Sequence, residues 1–404
     1  MLLNDQAPIV RIAARGDGIT EDGRHSPQSA PGDLLGIDGM LTWGPHHVEP
    51  PCRHFPKCGG CQLQHVDDES YADYIVQRIL GALGQQKVEA GSVAPAILSA
   101  PETRRRVSLR AERQGKRMLL GFNEEASHHI VDLKMCAVMH PALVALIEPL
   151  RRLMHPLLRD RRAAGVQMTL VDQGVDVLLE KVEVEGLAAI EAVNDFARTH
   201  QLARLAIDDG YGARAQWEPD AATITLGGVA VPFPSGAFLQ ATADGEAALV
   251  AAVEAIVGDA PIVADLFAGL GTFSLPLSGS RRVYAAEGAR DAVLALKAAS
   301  DRTQRKIAVD HRDLFRRPLN AAELDRFDAA VLDPPRAGAK EMMGALAQTQ
   351  RLSRIAYVSC NPSTFARDAR TLAESGWVLK KIVPVGQFRW STHVELVGDF
   401  RRGG

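Results

Sequence analysis

Cys360 lies where a predicted strand gives way to a helix, a position from which a thiol can act as a nucleophile. The run 356–359 is largely apolar, which indicates a buried strand, and the Asn-Pro pair at 361–362 is a turn signal. We expect Ser363 or Thr364 to cap the helix that follows. Open α/β sheets bind ligands at the carboxyl ends of their strands, and a helix N-terminus favours a thiolate. The alternative is a buried structural cysteine, because free Cys is among the most buried residue types.

The other four cysteines divide into three neighbours and one distant residue. Cys52, Cys58 and Cys61 have the spacing C-x5-C-x2-C, and Cys136 can close a four-thiolate set. Such a set suits zinc or an iron–sulfur cluster. Structural zinc sites usually contain two short Cys pairs, so the three-plus-one spacing favours a cluster. Unligated thiols are the remaining alternative.

A glycine-containing loop and an acidic strand end indicate a nucleoside site. The apolar run 261–267 predicts a strand, the loop 268–272 reads Ala-Gly-Leu-Gly-Thr, and Glu287 ends the next predicted strand. Glycines let a ligand approach the backbone, and the acid can bind ribose hydroxyls. Ser274 stands where a dinucleotide site has its third glycine. The combination favours S-adenosylmethionine (AdoMet) over NAD.

Three further acids lie at predicted strand ends. Asp313 could accept a hydrogen bond from an adenine amine. Asp333 opens the sequence Asp-Pro-Pro, which in enzymes that methylate amino groups is followed by an aromatic residue, whereas here Arg336 follows. That difference argues against amino methylation. Glu395 is a lone acid in an apolar strand, and its alternative interpretation is an exposed residue of an edge strand.

An arginine-rich segment at 104–113 is the candidate nucleic-acid surface. Its alternation predicts a strand with one arginine-rich face, and the predicted RNA contacts are Arg104, Arg105, Arg106 and Arg110. Such a face can contact RNA phosphates, or it can be merely solvated. Because the net charge is −3, phosphate affinity requires a local patch of this kind.

The elements that must position these residues suggest several domains. A chain of 404 residues is long enough for two or three. Predicted strands at 9–13 and 33–37 indicate a small β-barrel, residues 70–84 have helical periodicity, and a regular βα pattern begins at Asp244. Residues 1–6 do not resemble a signal peptide, and the most apolar helix, at 247–257, is too short to span a bilayer. We therefore expect a cytoplasmic protein.

Several of these motifs together resemble the RNA uracil-5-methyltransferase family. The cysteine set is similar to the [4Fe–4S] site of the branch that acts on 23S rRNA. The matching motifs are Phe238-x-Gln240, the loop from Asp265 to Gly271, Glu287, Asp333-Pro-Pro-Arg336, Ser359-Cys360-Asn361-Pro362 and His393-Val-Glu395.

The resemblance implies an α/β fold with three domains. These are a short OB-like β domain of the TRAM type at 1–50, a central α+β iron–sulfur and RNA-binding domain at 51–237, and a Rossmann-like AdoMet-dependent methyltransferase domain at 238–404. The helix at 70–84 is expected to contact the catalytic domain. The implied cofactors are AdoMet and a [4Fe–4S] cluster on Cys52, Cys58, Cys61 and Cys136. The expected AdoMet-binding residues are Gln240, Phe267, Thr272, Glu287, Asp313 and Asp333.

The implied chemistry agrees with the residue types. Carbon 5 of uracil is a poor nucleophile until a thiolate adds at carbon 6, and a base must later remove the carbon 5 proton. Cys360 is the expected nucleophile and Glu395 the expected base, in a pocket that receives a base flipped out of its stack. Asp333 could fix the uracil or the cofactor amine, and Arg336 could stabilise the thiolate.

The expected product is 5-methyluridine in RNA, with 23S rRNA as the substrate, made by a monomer that has no membrane contact. Three alternatives stay open at this point. They are a tRNA substrate, a catalytically silent RNA-binding protein that carries a cluster, and an NAD-dependent oxidoreductase.

Overall fold

The N-terminal part of the chain forms a small five-stranded β-sheet. The computed structural model describes residues 6–403, so the expectation that no signal peptide is present rests mainly on residues outside this range. The strands are β1 Gln6–Ile12, β2 Gly18–Thr20, β3 His25–Ser26, β4 Leu34–Gly36 and β5 Leu41–Thr42. They lie in the order β3-β2-β1-β4-β5. This arrangement confirms the predicted β-rich N-terminal unit.

Helix α1, Asp68–Gln85, follows the first cysteines, and the short strand β6, Ile97–Leu98, follows the helix. Asp67 caps the helix by accepting the Ser70 N–H at 2.9 Å, as Asp commonly does at this position. One side of α1 is buried along its whole length, as the periodicity at 70–84 predicted. The large buried side chains are Tyr71, Tyr74, Ile75, Ile79 and Leu83.

The central region is a seven-stranded sheet with three helices packed against it. Its elements are β7 Arg106–Gln114, β8 Arg117–Asn123, β9 Ile130–Asp132, α2 Pro141–Val144, α3 Ile147–Leu157, β10 Ala163–Val171, β11 Gly174–Glu180, α4 Leu187–Thr199, β12 Arg204–Asp208 and β13 Arg214–Trp217. The order is β13-β12-β11-β10-β7-β8-β9. The predicted arginine strand corresponds to β7, but Arg104 and Arg105 precede it.

The C-terminal region alternates strands and helices, as the βα pattern predicted. Its elements are β14 Thr223–Leu226, β15 Val229–Pro232, α5 Ala243–Val257, β16 Ile262–Leu266, α6 Ser274–Leu277, β17 Arg282–Glu287, α7 Arg290–Thr303, β18 Ile307–His311, α8 Ala321–Leu324, β19 Ala329–Leu332, α9 Lys340–Gln348, β20 Arg354–Ser359, α10 Pro362–Glu374, β21 Trp377–Gly386 and β22 Glu395–Arg402. No helix among residues 6–403 combines the length and the apolar character that a bilayer span requires.

An eight-stranded sheet forms the centre of this region, in the order β18-β17-β16-β19-β20-β22-β21-β6. Strands β16 to β20 pair in parallel, and β22 returns antiparallel to β20. Successive side chains along each strand point to opposite faces of the sheet. Both faces are buried, because helices cover both sides of a parallel sheet. In β20, Ile355 and Tyr357 point to the face covered by α1, α9 and α10, whereas Ala356 and Val358 point to α5.

Segment 68–98 is part of the layer that contains this eight-stranded sheet. Strand β6 pairs in parallel with β21 at the sheet edge, and α1 packs against α10 and β21. The sequence placed this segment in the central domain while expecting its helix to contact the catalytic one. We propose that residues 68–98 be assigned to the catalytic domain.

Candidate active site

Cys360 and Glu395 meet at the junction of two neighbouring strands. Ser359, the last residue of β20, is paired with Leu396 of β22, so the next residue on each strand places Cys360 opposite Glu395. Cys360 is half-buried, which does not fit the alternative of a sealed structural thiol. The helix cap is Asn361, whose side chain accepts the Ser363 N–H at 3.1 Å, so the prediction of Ser363 or Thr364 as the cap is wrong.

Taken together, the surroundings of Cys360 disfavour its thiolate. Burial raises its pKa, and the nearby carboxyl groups of Glu395 and Asp333 raise it further, whereas Arg336 lowers it. The sequence analysis considered the helix N-terminus and overlooked the two acids. Arg336 is therefore the cation that favours the thiolate, the role that the sequence analysis considered for it.

Glu395 is buried rather than exposed on an edge. Its exposed fraction is 5%, and its carboxylate accepts a hydrogen bond from the Gln387 amide. Burial raises the pKa of Glu395 to about 7, and the hydrogen bond from Gln387 acts in the opposite direction. A carboxylate with a pKa near neutrality is well matched to accepting a proton from carbon.

Two glutamines join Glu395 to Asp333. Nε2 of Gln387 donates to Oε1 of Gln240 at 2.7 Å, and Nε2 of Gln240 lies 3.5 Å from a carboxylate oxygen of Asp333. Enclosure raises the pKa of Asp333 well above its usual value, and Glu395 adds to that effect. The sequence analysis singled out Gln240 but missed Gln387. The one signal for Gln387 in the sequence was that a polar residue directly follows the largely apolar strand β21.

The loop that carries Arg336 is held by the first turns of α10. The backbone carbonyl of Arg336 accepts hydrogen bonds from Asn361 Nδ2 at 3.0 Å and Thr364 Oγ1 at 3.1 Å. The Arg336 guanidinium lies 2.9 Å from Nδ1 of His393, and burial, together with the charge of Arg336, lowers the pKa of that imidazole. The helix that begins beside Cys360 thus also positions the cation beside it.

The predicted cofactor residues gather at one edge of the sheet. Phe267, Glu287 and Asp313 follow or end β16, β17 and β18, which are adjacent parallel strands, and Thr272 lies half-buried in the loop after β16. Glu287 accepts N–H groups from Gly269 at 2.9 Å and from residue 289 at 2.7 Å. The carboxylate therefore shapes the glycine loop, and it has lone pairs left for a ligand.

Two glycines and two aromatic rings shape this edge further. Gly271 has a φ of +98°, and a Cβ there would meet Leu296 at 2.5 Å, so this tight turn requires glycine. Gly269, with a φ of +55°, has open space where a Cβ would point. Phe267 and Phe315 have ring centroids 5.4 Å apart. Phe315 was not singled out from the sequence, which carries no motif around it.

The four predicted metal ligands line one cavity of about 200 Å³. Burial raises the pKa of the thiols of Cys58, Cys61 and Cys136, that of Cys61 to about 12. Among residues 6–403, ligand atoms of three residues lie within 4.8 Å of one another only at His46, Asp67 and Glu69, so no three of these thiols are that close.

This cysteine pocket, defined as the cavity lined by Cys52, Cys58, Cys61 and Cys136, is connected directly to the candidate catalytic segment. The backbone carbonyl of Trp390 accepts the N–H groups of Gln62 and Leu63 at 2.8 and 2.9 Å. Tyr71 of α1 donates its hydroxyl to the Phe388 carbonyl at 2.9 Å. Arg104 and His393 also line the pocket. The loop that holds Cys61 and the segment that leads to Glu395 are therefore one hydrogen-bonded unit.

The four predicted phosphate-binding arginines have different environments. Arg105 is buried and paired with Glu246, so its inclusion in an RNA surface is wrong. Arg104 and Arg106 stack over Phe388 and Phe238, with 5.4 and 5.2 Å from guanidinium carbon to ring centroid. Arg110 is exposed on β7. The other three arginines, two beside aromatic rings and one exposed, stay candidates for phosphate contacts.

Comparison with known proteins connects this arrangement to a family. The family model described as tRNA (uracil-5-)-methyltransferase matches residues 229–398. An uncharacterized RNA methyltransferase of Zymomonas mobilis is 52% identical over 98% of this chain and 99% of its own length. The 23S rRNA (uracil(1939)-C(5))-methyltransferase RlmD of Pectobacterium atrosepticum is 30% identical over 89% of this chain and 82% of its own.

The fold comparison agrees with the sequence comparison. The crystal structure of the Pyrococcus abyssi tRNA (uracil-54, C5)-methyltransferase, in complex with S-adenosyl-L-homocysteine, matches with a TM-score of 0.76. It covers 98% of this chain and 99% of that one, at 21% identity. The likeness shows that the two proteins share a fold along their whole length. The chain belongs to the RNA uracil-5-methyltransferase family.

Proposed function

We propose that the protein uses AdoMet to methylate carbon 5 of a uridine in RNA, with Cys360 as nucleophile and Glu395 as base. The observation that carries this proposal is the position of a half-buried thiol directly opposite a buried carboxylate at adjoining strand ends. Adding to one carbon of a pyrimidine and removing a proton from the next requires such a pair.

The reaction begins at Cys360. Its thiolate, stabilised by Arg336, adds to carbon 6, and the electron pair of the carbon 5–carbon 6 double bond moves onto the ring as an enolate. AdoMet, when bound, would supply an electrophilic methyl group: carbon 5 bonds to that methyl as the sulfur–methyl bond breaks, and S-adenosyl-L-homocysteine is left. Glu395 then takes the carbon 5 proton, and the electrons of the broken C–H bond restore the double bond and expel the Cys360 thiolate. The enzyme regains its starting state once Glu395 loses that proton to water.

The sheet edge formed by the glycine loop, Glu287, Asp313 and Phe267 fits AdoMet. Gly269 leaves open space where a side chain would obstruct a ligand, and Glu287 sits at the end of β17, where a ribose would lie. Gln240, Thr272 and Asp333 complete the expected cofactor set. The S-adenosyl-L-homocysteine in the Pyrococcus relative supports this choice.

The cysteine pocket fits a [4Fe–4S] cluster better than zinc. A tetrahedral zinc ion with bonds of 2.3 Å holds its thiolates about 3.8 Å apart. No three thiols of the pocket lie within 4.8 Å of one another, and a cavity of about 200 Å³ separates them. A cluster would bind the thiolates of Cys52, Cys58, Cys61 and Cys136, whose burial otherwise opposes ionisation of three of them.

The preferred substrate is 23S rRNA. The 30% identity to RlmD over most of both chains, together with the cysteine set, supports it. The family model and the Pyrococcus structure carry tRNA in their names and keep tRNA as the second candidate. Arg104, Arg106 and Arg110 are the proposed phosphate contacts, and an RNA substrate agrees with the expected cytoplasmic location.

A deletion strain tests the activity and the substrate together. Mapping 5-methyluridine in ribosomal and transfer RNA should show one position in 23S rRNA that loses its methyl group. Expression of the wild-type gene should restore it, and the Cys360→Ala variant should not. Restoration by Cys360→Ala would refute the proposed nucleophile, and loss from tRNA alone would select the second substrate.

A further inference from the structure

We propose that Gln387 is a positioning residue that orients the Glu395 carboxylate for proton abstraction and favours its ionised form. This role rests on the proposed function, and it assigns a task to a side chain outside the family-like motifs. Gln387 does not contact the reacting atoms in the proposed mechanism. Its effect passes through the carboxylate that it holds.

The orientation of the Gln387 amide is fixed by its neighbours. Its side chain is 2% exposed, and its Oε1 accepts the N–H of Ala241 at 2.8 Å. A backbone N–H can only donate, so the atom facing it must be the oxygen, and Nε2 must face the other way. Nε2 has two hydrogens, and its two partners are Oε1 of Gln240, at 2.7 Å, and a carboxylate oxygen of Glu395. The amide therefore presents a donor to Glu395 and cannot present an acceptor.

The fold leaves space for this side chain. Gly245 lies in the first turn of α5, and a Cβ at that position would meet the Cβ of Gln387 at 2.7 Å. Any other residue at 245 would displace either the helix or Gln387. The start of α5, the Ala241 N–H and Gln240 thus enclose the Gln387 amide on three sides. This enclosure holds the amide in one orientation.

A fixed donor acts on the charge state of Glu395. Hydrogen bonds to an ionised carboxylate are stronger than those to a neutral one, so the donor favours the ionised form. Cys360 from the end of β20 and Asp333 from the end of β19 also face this region, and both are negative when ionised. Gln240 faces it as a neutral amide. Burial raises the pKa of Glu395 to about 7, with Gln387 opposing the rise.

Loss of the donor should therefore slow the last chemical step at neutral pH. In the variant Gln387→Leu, Glu395 should be protonated more of the time, and a protonated carboxyl group cannot take the carbon 5 proton. If the midpoint of the pH profile of the product-release rate rises by about one unit from about 7, the ionised fraction of Glu395 at pH 7 falls about fivefold. Methyl transfer precedes this step and should continue.

The test is a single-turnover experiment with methyl-labelled AdoMet and substrate RNA over a pH range centred on 7. Gln387→Leu should form the labelled covalent adduct and release it more slowly, with the inflection of the release rate about one unit higher. Gln387→Glu, which has nearly the same size, should shift the inflection upward as well, because it brings a like charge to Glu395. This second variant provides the measurement if the leucine variant fails to fold.

The control is Gln77→Leu on the exposed side of α1, which should behave as the wild type. A release rate that keeps the wild-type inflection in a folded Gln387 variant overturns the role of Gln387 and leaves the proposed function intact. A purely structural role would slow every step without moving the inflection, and it would overturn the inference in the same way. Wild-type protein that transfers no methyl group to any RNA refutes both.

Discussion

Replacement of the proposed base should make the protein more stable while it stops turnover. Burial raises the pKa of Glu395 to about 7 from an ordinary value of 4.5. In the unfolded chain the carboxyl group ionises as the pH rises above 4.5, whereas in the folded chain it keeps its proton until about 7. The folded state therefore loses stability between these pH values and does not regain it above 7.

The magnitude follows from the size of that difference. A rise of about 2.5 pH units at about 1.36 kcal/mol per unit gives about 3 kcal/mol as the cost of the buried carboxylate above pH 7. Glu395→Gln removes this cost and keeps an acceptor oxygen for the Gln387 amide. We expect the variant to be more stable than the wild type by up to about 3 kcal/mol at pH 8, and equal to it near pH 4.5.

Urea denaturation at several pH values, without RNA or AdoMet, measures this difference. The matched control is Glu191→Gln on an exposed position of α4, which should change stability by less than about 0.5 kcal/mol at every pH. A stability gain for Glu395→Gln that is the same at pH 5 and pH 8 would refute the reasoning, because it would show that ionisation is not its source. A loss of stability at pH 8 would show that the carboxylate is well solvated in the folded protein.

Four other outcomes are expected. Protein purified without oxygen should be brown and carry about four irons per chain, and stoichiometric zinc without acid-labile sulfide would contradict a cluster. Arg110→Gln should weaken RNA binding and flatten its salt dependence, whereas Arg105→Gln should lower the melting temperature because it leaves Glu246 unpaired. Glu287→Ala should weaken AdoMet binding at least about tenfold, roughly 1.4 kcal/mol, in a calorimetric titration, and an unchanged affinity would place the cofactor elsewhere. In denaturing gels, Glu395→Gln should accumulate a protein–RNA adduct that carries the AdoMet label. Neither Cys360→Ala nor the double variant Cys360→Ala, Glu395→Gln should form one, and an adduct in either of them would refute Cys360 as the nucleophile.

The sequence predicted the elements whose pattern is local. The βα alternation after Asp244, the strand before Cys360 and the helix at 70–84 all follow from hydrophobic periodicity, and the structure contains each of them. The acids at strand ends were found in the same way, because adjacent parallel strands end at one edge. These acids and Cys360 therefore needed no knowledge of tertiary contacts, whereas Gln240, Phe267 and Thr272 came from the family resemblance.

The features that the sequence did not predict depend on contacts between distant segments. Gln387 belongs to no motif, and its role is visible only once β21, α5 and β22 surround it. Arg105 looked equivalent to its neighbours, but Glu246 from α5 pairs with it in the interior. Similarly, the pKa of Cys360 depends on Glu395 and Asp333, which lie on other strands.

The packing of α1 and β6 against the last elements of the chain also has a consequence for synthesis on the ribosome. The apolar face of α1, with Ile75, Ile79 and Leu83, is covered by α10 and the last strands of the sheet, which are made near the end of translation. The nascent chain therefore exposes this face until almost the whole protein has emerged, and such surfaces invite aggregation or chaperone binding. Chains that terminate before β21 should be insoluble, and a catalytic fragment that starts at residue 238 should be insoluble as well, because it lacks the helix that covers α10.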